Sequence, residues 1–69
     1  MRYAIVIEIA GSNFSAHVPD LPGCVATGST RAEAEAQIRE AIAFHLEGLR
    51  EDGIAPPPAS SEVEYVDVA

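Results

Sequence analysis

Val18-Pro19-Asp20-Leu21-Pro22-Gly23-Cys24-Val25-Ala26-Thr27-Gly28-Ser29-Thr30 is the stretch that decides how this chain folds. It holds two prolines, two glycines and an aspartate, so no uninterrupted central strand can pass through it. Proline removes a ladder donor and fixes φ, while glycine supplies the positive φ of tight turns. The stretch therefore turns the chain, runs a short strand through Cys24 to Thr27, and hands over to a helix at Thr30. Asp20 is the one carboxylate inside the turn, and its expected role is to bond its own backbone amides.

Upstream, Arg2 to Ala10 alternates, with Tyr3, Ile5, Ile7 and Ile9 on one side and Ala4, Val6 and Glu8 on the other. β-Branched residues at period two make a strand. Its second side is only partly polar, so the strand is expected to be central or covered by another subunit. Gly11-Ser12-Asn13 is a hairpin signal, and Phe14 to Val18 resumes the alternation, with Phe14, Ala16 and Val18 opposite Ser15 and His17. A short connection of this kind makes the pair antiparallel.

Downstream, Thr30-Arg31-Ala32-Glu33 fits a capping box, with Ser29 as the fallback cap. At 100° per residue, Ala34, Ile38, Ala41, Ile42, His45, Leu46 and Leu49 share one apolar arc. Asp52-Gly53 ends the helix, with Gly53 at the left-handed position. On the opposite arc Glu33, Glu40, Glu47 and Glu51 form an acidic strip, with Gln37 and Phe44 beside it. A basic partner could dock there; the alternative is a solvated face with Phe44 tucked under a loop. Pro56-Pro57-Pro58 then forces an extended run, and Glu62 to Val68 alternates again as an expected last strand. The order reads β-β-β-α-β: an α+β domain with one long helix on a small, mostly antiparallel sheet.

Sixty-nine residues make a single domain, 1–69, and a marginal core. One cysteine gives no disulfide framework, so oligomerisation, as a homodimer or a tetramer, is the expected further source of stability. Eleven acids stand against four arginines and no lysine, a net charge of −7. That disfavours contact with nucleic-acid phosphates and favours a basic partner. There is no signal-peptide pattern and no apolar run of membrane-spanning length, which points to the cytoplasm and away from the membrane.

Motifs that carry chemistry are missing. There is no phosphate-cradling glycine loop, His-Glu-x-x-His, Cys-x-x-Cys or Gly-x-Ser-x-Gly. His17 has no companion at ligand spacing and reads as a solvent-facing or interface residue. His45 lies in the apolar arc, as a core or interface histidine does. Cys24 has acidic or apolar neighbours and reads as a buried thiol. Glu8 and Asp20 could approach one another, but a hydrolytic site needs more acids converging than these. No enzyme activity, cofactor or metal is expected.

The run Val18-Pro19-Asp20-Leu21-Pro22-Gly23-Cys24-Val25, followed by Thr27-Gly28-Ser29-Thr30, Glu33-Ala34 and Arg39-Glu40-Ala41-Ile42, resembles the HicB-like antitoxin family of toxin–antitoxin systems. Pro19, Asp20, Leu21, Pro22, Gly23, Gly28 and Thr30 carry the motif. The Tyr3–Glu8 strand, Gly53 and Pro56 match as well. The resemblance implies a partial ribonuclease-H-like fold and a small basic HicA-type partner, a messenger-RNA-cleaving toxin whose active face the antitoxin covers. Fold likeness to a nuclease does not imply nuclease activity. Many members carry a C-terminal DNA-binding segment, and this sequence stops one expected strand after its helix, so DNA binding is not carried over. A different class of function is a self-assembling module that binds a peptide or small ligand along a strand edge.

Overall fold

The computed structural model describes residues 1–69. Strand β1 (Val6–Ala10), strand β2 (Asn13–His17) and strand β3 (Val25–Gly28) precede one helix, α1 (Arg31–Glu51). The sheet is antiparallel throughout, in the order β1-β2-β3. Gly11-Ser12 makes a two-residue hairpin with Ala10 opposite Asn13. Gly11 takes φ +65° at the first central position, as a type II′ turn requires. In register, Ile7 faces Ala16, which faces Ala26, while Val6 faces His17, which faces Val25. The first row lies toward the helix and the second away from it, as the alternation requires.

The decisive stretch folds into two consecutive turns. Leu21 N–H donates to Val18 C=O (3.1 Å) across Pro19-Asp20, and Cys24 N–H donates to Leu21 C=O (3.1 Å) across Pro22-Gly23. Gly23 has φ +81°; with proline before it, that is a type II turn. Val18 N–H donates to Cys24 C=O (3.2 Å) and closes the base. The shared residue, Leu21, points inward and is 0% exposed. It joins Ala16, Val18, Cys24, Ala34 and Ile38 in the core.

α1 begins where expected. Thr30 Oγ1 accepts from Glu33 N–H at 3.0 Å. Glu33 departs from a reciprocal capping box: it accepts from Ser29 N–H (3.0 Å) and Ser29 Oγ–H (3.2 Å), one residue before the cap. At the other end Ile54 N–H donates to Leu49 C=O and Gly53 N–H to Arg50 C=O, with Gly53 at φ +68°. This is the Schellman pattern. The helix packs chiefly on β3, less on β2 and least on β1. Gly28 sets that contact: a Cβ there would stand 2.9 Å from Ala34 Cα and clash with the helix backbone.

One expectation fails, and of the two alternatives for the first strand, central or covered by another subunit, the chain itself does not provide the first. Glu62–Val68 forms no strand: nothing after α1 is helical or paired, although Tyr3 Oη–H donates to Pro57 C=O at 2.6 Å and holds the segment near β1. A strand exists only through a neighbouring ladder, and this segment makes none. In consequence β1 is an edge strand and β2 the central one. Substituting Leu21→Ala is expected to cost about 2–5 kcal/mol, a large share of the stability of so small a domain. Urea unfolding followed by circular dichroism measures it; a loss below about 1 kcal/mol would mean that the double turn does not anchor the core.

Candidate functional site

α1 and the open edge of β3 enclose a shallow groove of about 510 Å³ lined by Val25, Ala26, Thr27, Gln37, Glu40, Ala41 and Phe44. The fold explains its shape. Cys24 turns inward, so Val25 turns out and is 66% exposed. α1 crosses β3 with Ala34 and Ile38 buried, which leaves Gln37, Glu40 and Phe44 on its outer flank. Phe44 is 83% exposed and no loop covers it. An aromatic ring beside a carboxylate, above a strand edge with unused hydrogen-bonding groups, can hold an extended or flat basic surface.

Of the five residues expected to form the acidic contact, Glu40 and Phe44 line the groove and the other three do not. Glu33 is occupied at the helix start by Ser29. Glu47 stands 3.6 Å from Arg50, and Glu51 is the last residue of the helix. Arg39 is tied to Glu35 at 3.1 Å. Both pairs are exposed and worth at most about 1 kcal/mol each. The sequence reading left out Val25, Ala26, Thr27 and Ala41. Its signal was available for Val25, next to a cysteine assigned to the core, but that β3 would be an edge was not readable.

The motif residues act in the fold. Pro19, Leu21, Pro22 and Gly23 build the double turn, Gly28 admits the helix, and Thr30 caps it. Asp20 departs from expectation. Its Oδ2 accepts from Ser61 N–H (2.9 Å) and its Oδ1 from Ser61 Oγ–H (2.7 Å) and Ser60 Oγ–H (3.4 Å). The usual acceptor geometry uses the amide two residues on. That position is Pro22, which has no N–H, so the carboxylate reaches across to the distant serines. The Ser61 hydroxyl, then the Ser61 amide, hold its pKa below the ordinary value of 3.8.

Other titratable groups form no centre. Glu8 Oε1 lies 3.9 Å from His17 Nδ1 on the open face of the sheet, with both side chains well exposed. Burial pushes the Cys24 thiol up, so it stays protonated and unreactive at neutral pH. Nowhere do three or more His, Cys, Asp or Glu side chains gather as metal ligands would. No helix is long and apolar enough to cross a membrane.

A model of the HicB-like antitoxin family of bacterial toxin–antitoxin systems matches residues 3–68. A protein of the rep–hol intergenic region of Haemophilus phage HP1 is 39% identical over 67 residues, which is 97% of this chain and 50% of the phage protein. This chain thus spans half the length of that relative. A protein of Thermoplasma acidophilum is 33% identical over 63 residues, covering 90% of this chain and 91% of its own. Among solved structures, a chain of a HicA3–HicB3 toxin–antitoxin complex superposes with a TM-score of 0.73 at 33% identity. The match covers 86% of this chain and 70% of that one. A protein of Thermus thermophilus matches with a TM-score of 0.74, also at 33% identity, covering 88% of this chain and 82% of its own.

Because Asp20 is depressed in the folded state, its tether adds stability above the unfolded-state pKa and loses it as pH falls through the lower folded value. A carbon-detected NMR titration is expected to place the Asp20 midpoint below 3.8. Ser61→Ala is expected to move it back up. A midpoint indifferent to Ser61→Ala would show that the tether is not formed in solution.

Proposed function

The chain belongs to the HicB-like antitoxin family, and from that premise we propose that it is the antitoxin of a two-protein system and works by covering a small basic HicA-type toxin that cleaves messenger RNA. The likeness to a chain of the HicA3–HicB3 complex is the observation that carries this reading. The acidic charge supports it: a net of −7 attracts a basic partner and speeds encounter with it. The proposed contact is the groove between β3 and α1, with Phe44 as the anchor, Glu40 as the charge that meets a toxin arginine or lysine, and Val25 and Thr27 along the strand edge. Glu47 and Glu51 extend the negative field without sharing the groove, and Glu33 contributes its charge while holding the helix start.

The chain carries out no reaction in this reading. Neutralisation comes from occupying the toxin's face, so its strength follows the stability of the complex and its speed follows the charge. An exposed aromatic at the centre of a contact is the kind of residue on which interface energy concentrates. Phe44→Ala is expected to weaken binding to a HicA-type toxin by about tenfold or more, equivalent to about 1.4 kcal/mol. Glu40→Arg is expected to slow association and to flatten its dependence on salt. Calorimetry and stopped-flow mixing measure the two. Unchanged affinity in both variants, with the fold intact, would move the contact elsewhere.

A further inference from the structure

The two edges of the sheet are not equally open. Along β1, Val63 and Tyr65 of the segment after Ser61 stand across a groove from the chain's own Ile5–Ile7. The groove along β3 is walled by β3 and α1 alone. Edge strands are commonly guarded by lysine, proline or a bulge. Val25-Ala26-Thr27-Gly28 has no charge and no proline, and its register with β2 is unbroken. Its one defence is its length of four residues.

The register fixes which backbone groups face that edge. The two-residue hairpin makes Ala10 and Asn13 a hydrogen-bonded pair, so Asn13, Ser15 and His17 turn their N–H and C=O groups toward β1. Phe14, Ala16 and Val18 then serve β3, and Val18 N–H does donate to Cys24 C=O at 3.2 Å. In step with that bond, Phe14 meets Gly28 and Ala16 meets Ala26. Val25 and Thr27 are left over. Their N–H and C=O groups point out of the open edge and have no partner in the chain.

The side chains alternate with those groups. Ala26 turns toward the helix, while Val25 and Thr27 turn to the exposed face. A strand added antiparallel places the side chain opposite Ala26 on the helix side, above Ala26 and Ala41 and between Glu40 and Phe44. The two alanines leave depth for a long side chain. Glu40 has no cation within ion-pair distance, and its neighbour Arg39 is held by Glu35. A long cation whose stem lies on an aromatic ring matches this space.

We propose that the β3 edge takes an extended basic segment of the partner as an added antiparallel strand, with an arginine or lysine opposite Ala26 reaching Glu40 across Phe44. The inference rests on reading this groove as the partner's seat and adds how the partner is held. Backbone pairing at Val25 and Thr27 supplies affinity, and the cation at Glu40 supplies selectivity. A flat basic surface leaves those backbone groups unused.

The probe is the acetylated and amidated peptide Lys-Thr-Val-Arg-Val-Thr-Lys, titrated into the full chain and followed by NMR and amide hydrogen exchange. Contacts are expected from the two peptide valine amides to Val25 and Thr27, with slowed exchange at those two positions and the arginine beside Glu40 and Phe44. In antiparallel pairing the two valine amides face β3 and the arginine amide points away. N-Methylation of both valines is therefore expected to weaken binding by about tenfold or more, and N-methylation of the arginine to change it by less than about twofold. Glu40→Gln is expected to abolish the preference for this peptide over one with glutamine in place of arginine.

Equal effects of the two methylations, loss on arginine methylation alone, or an unchanged preference in Glu40→Gln would overturn the proposal. So would a peptide that binds along β1 or does not bind, or Val25 and Thr27 amides already protected by a second copy of the chain. A HicA-type toxin bound through Phe44 while those two amides still exchange freely would overturn the added strand and leave the antitoxin reading standing. The peptide bound as described, by a chain that no HicA-type toxin engages, would do the reverse.

Discussion

Leu21 is completely enclosed although it belongs to no helix or strand. Two turns led by proline, one on each side, share this residue and leave its side chain only one direction, toward Ala16, Ala34 and Ile38. Proline lowers the entropy lost in forming each turn, since φ is already fixed before folding. The other placements follow from this plug. Cys24 is carried inward beside it, Val25 is carried outward, and β3 arrives antiparallel to β2 with Gly28 at the point where the helix must approach most closely. A domain with so few buried side chains has little redundancy.

The same economy leaves much of the surface uncommitted. One helix on three strands covers one face, and it sits over β3 and β2 more than over β1. The two sheet edges therefore differ. Beside β3 the helix presents Glu40 and Phe44, an acidic and aromatic border suited to a basic protein. Beside β1 lie Arg2, Arg31, Glu35 and the unpaired segment after Ser61.

Much of this was legible in the residues, and the parts that were not have physical reasons. The helix bounds, its cap at Thr30 and its end at Gly53 are local signals, written within one turn of where they act. The two faces of the hairpin follow from period two alone. The fate of Glu62–Val68 was not local: its alternation marks a strand, but a strand is a relation to a partner, and this chain supplies none. The same gap hid which strand would be central. Asp20 divides the two cases. The missing amide of Pro22 was visible in the sequence and argued against a turn of its own, whereas Ser60 and Ser61, forty residues away, became its partners only through the fold. For the site, the seven-residue spacing of Glu33, Glu40 and Glu47, with Glu51 one turn further on, put four glutamates on one strip, but only packing against β3 selected Glu40 from it and Phe44 beside it.

The central proposal is that the helix flank beside β3 is the surface that recognises a basic protein. Amide chemical shifts of the full chain, followed while a basic HicA-type toxin is added, test it most directly. The largest changes are expected at Val25–Thr27 and from Gln37 to Phe44, with Leu21 and Cys24 nearly still. Changes concentrated on β1 and Glu62–Val68, with Glu40 and Phe44 unmoved, would contradict it.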